Sequence, residues 1–222
     1  MKGDCICLSY NKFDSFYIKD VTMKFSDSKS VEDVQKKYPI YNRFENFVPN
    51  HRVELPQLYQ DDIQFALSKQ ADVESEMFYR EYLIAPFMSE AWKRHRDLKL
   101  WVNRRLVYKD ELTGEPDYFL ANKSKGTTTN QVGNPLLAVA EAKQEKFTEG
   151  WGQCLAAMIA CQKINADENI TIYGMVATSE LWQFAKLHGD TFTRNIRAYT
   201  IHMPEQLFGA LDYMFGEYEK HV

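Results

Sequence analysis

Apolar runs separated by polar turns divide the second half of the chain into regular elements. The clearest is "PLLAVAEAK" (135–143), where Leu136 to Ala140 contains no polar residue. Such a run predicts an inner strand covered on both faces. Upstream, "DYFLA" (117–121) predicts a second strand, and Leu98–Tyr108 reads as a single earlier one, with turn chemistry in "ELTGEP" (111–116). The polar stretch "NKSKGTTTNQVGN" (122–134) reads as a loop. A helix is expected over 149–163 with Thr148 as its N-cap. Its Trp151, Cys154, Leu155, Met158 and Ile159 form an apolar face, while Ala156, Ala157 and Ala160 form a small-residue face. A helix apolar nearly all round is buried against a sheet.

"NITIYGMVAT" (169–178) predicts another strand, and His188-Gly189-Asp190 reads as the turn of a hairpin. An amphipathic helix closes the chain over about 204–220. Before all of these, a helix runs from about Asp72 to Arg94, with Val73, Met77, Ile84, Phe87 and Ala91 on one stripe and a kink at Pro86. Residues 1–60 show no clean period and are expected to form an N-terminal elaboration on a domain spanning 61–222. The order of elements is helix, three-strand meander, helix, strand, hairpin, helix: an α/β fold with a mixed central sheet flanked by helices.

Composition narrows the class. With 222 residues, 45% of them hydrophobic, the chain can bury a full core. No apolar stretch approaches the roughly 20 residues of a membrane span. The start of the chain is broken by Asp4, Asn11 and Lys12, unlike a signal peptide. A cytoplasmic protein with no membrane partner is expected. The four cysteines offer no C-x-x-C pair, and Cys154 and Cys161 would lie about 10 Å apart along a helix, too far to bridge. Cys5 and Cys7 are too close in sequence for a structural staple.

The net charge of −4 hides a local excess of the opposite sign. Residues 93–109 hold seven Lys or Arg against Asp97 alone, interleaved with Trp101 and Tyr108. Arg94, Arg96, Lys99, Arg104 and Arg105 are therefore candidates for a phosphate backbone, with the aromatics available for stacking on bases. A solvated strand face following a helix C-terminus accounts for the same charges.

The chemistry centres on the end of the 135–143 strand. Glu141 and Lys143 stand two apart, hence on one face, where their desolvation needs compensation. Asp117 begins the preceding strand, so adjacent antiparallel strands could bring the two carboxylates together. Two carboxylates on a sheet edge suit a hard divalent cation, Mg²⁺ with Mn²⁺ as a substitute.

Pro116-Asp117 followed by Glu141-Ala142-Lys143 resembles the PD-(D/E)XK nuclease superfamily, which has the restriction-endonuclease-like fold. "SEMFYREYLIAPF" (75–87) is similar to that fold's first helix, and "GWGQC" (150–154) to the motif opening its later helix. The resemblance covers roughly residues 70–188. It implies a Mg²⁺-dependent endodeoxyribonuclease acting on DNA. Asp117, Glu141, Lys143, Glu76 and Gln153 would form its catalytic set. The metal would be held by Asp117, Glu141, the backbone carbonyl of Ala142, and Glu76, with Glu81 and Glu74 as weaker candidates than Glu76.

Acid-x-Lys also occurs at Asp27-Ser28-Lys29 and Asp97-Leu98-Lys99, but only 141–143 follows a buried-strand run. Each residue also has a structural account. Glu76 suits a helical ion pair with Arg80, and Asp117 suits a turn. Lys143 could neutralise Glu141, and Gln153 could solvate a helix start. A catalytically silent nucleic-acid-binding or assembly module is the alternative function, and a homodimer is compatible with either. A nucleotide-processing enzyme would want a glycine-rich phosphate loop, which the sequence lacks.

Overall fold

The computed structural model of the protein describes residues 22–72, 74–122, 132, 136–142 and 146–220, with the backbone alone for 137–142. Its first elements are β1 (Met23–Lys24), a 3-10 turn (Phe25–Asp27), α1 (Val31–Gln35) and β2 (Tyr41–Glu45). Helix α2 (Gln57–Lys69) follows, then α3 (Glu76–Tyr79), a π turn (Arg80–Ile84) and α4 (Ala85–Arg94). The expected 72–94 helix thus starts at Glu76, and its kink is a π turn. Pro86 has no N–H and its ring crowds the carbonyl four residues back; the wider turn relieves both, with Ala85 N–H reaching Arg80 O. Of the expected apolar stripe, Ile84, Phe87 and Ala91 are buried, Met77 is exposed, and Val73 lies outside the described residues.

The strand expected over 98–108 is two. β3 (Leu98–Val102) ends at Asn103, whose φ of 45° turns the chain. β4 (Leu106–Tyr108) and β5 (Leu112–Gly114) then form an antiparallel pair, joined through Lys109 at φ 49°. Part of "ELTGEP" is therefore strand rather than turn, and with β1 it makes a separate three-stranded sheet.

The chain returns to the main sheet with β6 (Tyr118–Asn122) and β7 (Leu136–Ala142). It continues through α5 (Phe147–Asn165), β8 (Ile172–Ala177), β9 (Leu181–His188), β10 (Thr191–Asn195), β11 (Tyr199–Thr200) and α6 (Pro204–Glu219). Thr148 lies inside α5; the residue before the helix is Lys146, whose side chain makes no capping bond. Most of the 122–134 loop, Cys5 and Cys7 lie outside the described residues. Cys154 and Cys161 are buried free thiols.

The eight-stranded main sheet runs β2-β10-β9-β8-β7-β6-β3, with β11 also pairing β9. β3, β6 and β7 form the antiparallel meander, and α5 carries the chain across to β8, which is parallel to β7. The result is an α/β fold whose mixed sheet is flanked by helices. On one face α4 and α6 pack Phe87, Leu211 and Phe215 against Leu120, Met175 and Phe184. On the other, α5 packs Leu155, Met158 and Ile159 against Phe119, Val176 and Leu187.

Candidate active site

Asp117 stands between the β4–β5 excursion and β6. Its backbone is held by Asn103 N–H, which donates to Asp117 O at 3.0 Å and prolongs the β3–β6 ladder. β6 and β7 pair Tyr118 with Ala140 and Phe119 with Val139. One step further out in the same antiparallel register, Asp117 comes opposite Glu141, at a Cα separation of about 4.5–5.5 Å. Glu141 pairs in turn with Val176 on β8, and Ala142, the last residue of β7, with Ala177. The side chain of Glu141 and the whole of Lys143 lie outside the described residues.

The Asp117 carboxylate is only 14% exposed and accepts a hydrogen bond from Arg80 Nη1 at 3.1 Å. Arg80, equally shielded, begins the π turn and also reaches Glu81 and Asn103 Oδ1, each at 3.4 Å. Burial works against its charge, but the bond to Asp117 and that carboxylate's field outweigh it and raise the guanidinium pKa. Beside the pair, Tyr118 OH donates to Arg80 O at 3.5 Å, and burial pushes its phenol well above the usual range.

Glu76 is exposed at the first position of α3, one helical turn before Arg80, behind the N-cap Ser75. Glu74 accepts from Ala71 N–H at 2.9 Å. Arg80, a cation that sequence reasoning did not select, thus reaches Asp117 from this helical segment. A signal was there: Arg80 is the sole Lys or Arg between Asp72 and Trp92, among five acidic residues.

Gln153 is half-buried on the first turns of α5, and its Nε2 donates to Glu149 Oε1 at 3.2 Å. The same oxygen takes Lys29 Nζ at 2.7 Å. Gly152, within "GWGQC", has a packing reason: a Cβ there would lie 2.5 Å from Ser28 O and 2.7 Å from Ser30 N. Trp151 is buried and donates its indole N–H to Gln183 Oε1 at 2.8 Å.

The basic stretch divides. Arg94 Nε pairs with Asp212 at 2.7 Å and its guanidinium lies over Phe208, which commits it to α6. His95, next in sequence, sits between Glu219 at 2.9 Å and Asp212 at 3.3 Å. Arg96 donates to Lys93 O, and Arg105 Nε to Thr113 Oγ1, both at 3.3 Å. Lys99 and Arg104 instead bracket Trp101 at 5.4 and 5.7 Å from its ring centre, and Trp101 stacks on Phe119. They belong to the edge strand β3 and the turn after it, next to the strand that Asp117 enters.

Among the described residues, no three His, Cys, Asp or Glu side chains gather as a metal site. No helix among them is long and apolar enough to cross a membrane. The sequence matches no protein-family model and no curated protein. Among solved structures, a cryo-EM structure of a DrdV–DNA complex is distantly similar, with a TM-score of 0.41 and 11% identity over 71% of this chain. This chain spans 13% of that one.

Proposed function

We propose that the protein is a divalent-metal-dependent nuclease that hydrolyses phosphodiester bonds in DNA. The observation that carries this reading is the β6–β7 register, which sets Asp117 across from Glu141 at one end of the sheet. Asp117, Glu141, the backbone carbonyl of Ala142 and Glu76 are hard oxygen donors, the kind Mg²⁺ or Mn²⁺ takes while keeping several waters. Such an ion would polarise a phosphoryl oxygen and lower the pKa of a bound water. Lys143 would orient that water or hold the charge that develops on the phosphorus oxygens. Arg80 would serve the phosphate once its hold on Asp117 is relaxed. Gln153, on the first turns of α5, would position the attacking water. Lys99 and Arg104, around Trp101, form a cationic and aromatic edge suited to a phosphate backbone and its bases.

A second reading, a DNA-binding module without catalysis, is favoured by the Arg80–Asp117 pair, which neutralises this carboxylate without any metal. Cleavage assays separate the two. Plasmid, linear and single-stranded DNA are incubated with Mg²⁺, Mn²⁺ or chelator, using wild type and the Asp117→Ala, Glu141→Ala and Lys143→Ala variants. We expect metal-dependent cleavage that each substitution abolishes in a folded protein. The triple variant should be little worse than a single one, because residues acting as a unit are non-additive. Cleavage that survives Glu141→Ala in protein free of contaminating nuclease would discard the assignment.

A further inference from the structure

On the face of the sheet that carries α5, a cavity of about 260 Å³ opens beside the start of that helix. Glu32, Phe147, Thr148, Trp151, Gln183 and Arg194 line it. Arg194 comes from β10, which belongs to neither the Asp117–Glu141 edge nor the basic strand β3. Its guanidinium lies 4.4 Å from the centre of the Phe44 ring. Arg194 Nε is buried and meets no hydrogen-bond partner among the described residues. Burial lowers the pKa of this group, while the field of Glu32, exposed on the cavity rim, works the other way.

A buried guanidinium N–H without a partner is costly unless an acceptor arrives, and the planar fork of this half-buried side chain fits the oxygens of a phosphate. Glu32 on the rim is an acceptor that an incoming phosphate would have to pass, but the other polar neighbours can donate. Gln183 spends its carbonyl oxygen on Trp151 Nε1, which leaves its amide nitrogen to donate, and Thr148 adds a hydroxyl. The cavity is also placed for a strand that passes the carboxylates. Gln183 is in register with Val176, and Val176 with Glu141. Arg194, on the next strand, pairs with Ala185. Gln183 lies two strand spacings from Glu141, about 10 Å, and Arg194 three spacings across and two residues along, about 16 Å.

We propose that this cavity is a phosphate subsite, in which Arg194 takes one phosphate group of a nucleic-acid strand while the Asp117–Glu141 edge faces another. The choice of a nucleic-acid strand rests on the nuclease reading; the choice of phosphate rests on Arg194 and its surroundings.

Binding is measured in chelator, where no metal-dependent cleavage occurs. The probes are a short single-stranded DNA with a 5′-phosphate, the same DNA with a 5′-hydroxyl, and inorganic phosphate. Arg194→Gln should weaken DNA binding about ten- to a hundredfold and flatten the salt dependence by about one unit. Arg194→Lys keeps the charge but not the fork, and should fall between. Loss confined to the 5′-phosphorylated DNA marks a terminal phosphate, and equal loss for both marks an internal one. In wild type, inorganic phosphate should compete with DNA and raise the melting temperature more than chloride at equal ionic strength. The subsite is overturned if folded Arg194→Gln binds both DNAs with unchanged Kd and salt slope. Should that variant not fold, a wild type indifferent to inorganic phosphate overturns it equally. DNA that binds through Arg194 but is never cleaved with Mg²⁺ removes hydrolysis and leaves the subsite. Cleavage by Arg194→Gln at an unchanged KM removes the subsite alone.

Discussion

Arg80 and Asp117 hold each other across 37 residues of sequence, in surroundings that leave each side chain 14% exposed. Removing one partner of such a pair leaves the other poorly solvated, which costs about 1–3 kcal/mol. Arg80→Leu should therefore lower the melting temperature in chelator. It should also remove a cationic competitor for the carboxylate. Mg²⁺ or Mn²⁺ should then stabilise Arg80→Leu more than wild type, because no guanidinium competes for Asp117. By mass action a hundredfold excess over the dissociation constant contributes about 2.7 kcal/mol. The Arg80→Leu/Asp117→Leu double variant should recover much of the stability and lose the response to metal, since an apolar pair needs no compensation. Melting curves in chelator and in each metal check all of these outcomes. If metal moves wild type and Arg80→Leu equally, the pair is a structural tie and no competitor.

Among the elements, α5 is where the candidate site meets the N-terminal part of the chain. Residues 28–30 pass over Gly152 so closely that a Cβ would overlap backbone atoms, and Lys29 pairs with Glu149 one turn earlier. In an exposed helix, Gly→Ala would gain about 1 kcal/mol of propensity. Here the new methyl meets Ser28 O and Ser30 N, which are backbone and cannot rotate away. Overpacking of this kind costs about 1–3 kcal/mol, so the clash should outweigh the propensity gain. Gly152→Ala is expected to lower the urea midpoint with an unchanged m-value. A raised midpoint would show that residues 28–30 yield easily. The π turn belongs to the same scale. Pro86 was visible in the sequence as a disturbance, but the form of that disturbance decides which side chain faces β6. The resemblance of 75–87 to a known first helix pointed to Glu76, and the structure brings Arg80 to Asp117.

At the scale of the whole molecule, the two cores hold many phenols out of water. Burial raises Tyr38 to about 12 and pushes Tyr59, Tyr173 and Tyr218 higher still. Tyr218 lies inside the core between the sheet and α6, and Tyr38 faces the opposite helix layer. For a phenol whose folded pKa is raised, the folded state holds the proton more tightly than the unfolded chain. Stability is therefore intact below the unfolded value near 10, and falls as pH rises through 10 to 12 and beyond. Absorbance titration should show Tyr38, Tyr59, Tyr173 and Tyr218 ionising together with unfolding. Smooth titration of every tyrosine near 10 in a folded protein would contradict the packing of both cores.

The sequence by itself determined the β7–α5–β8 unit, the hairpin at Gly189 and the final helix. Their signals are local and unopposed: an unbroken apolar run, a helix apolar nearly all round, the turn residues His188-Gly189-Asp190, and an amphipathic period over 204–220. It also singled out Glu141, because a charge ending a buried strand is anomalous wherever the strand sits, and Asp117, because it opens the preceding strand just after Pro116. Tertiary structure decided the rest. The 98–108 run breaks at Asn103, a residue free to take a left-handed turn, and its second half pairs with β5 in another sheet. Lys99 and Arg104 share an edge with Trp101, whereas Arg94 is drawn to Asp212, a partner 118 residues away. Glycine at 152 is required by a segment that precedes it by more than 120 residues. Periodicity reports only neighbours within a turn or a strand. Ion pairs, close backbone approaches and cavity walls are made between elements far apart in the chain, and packing alone selects which of them meet.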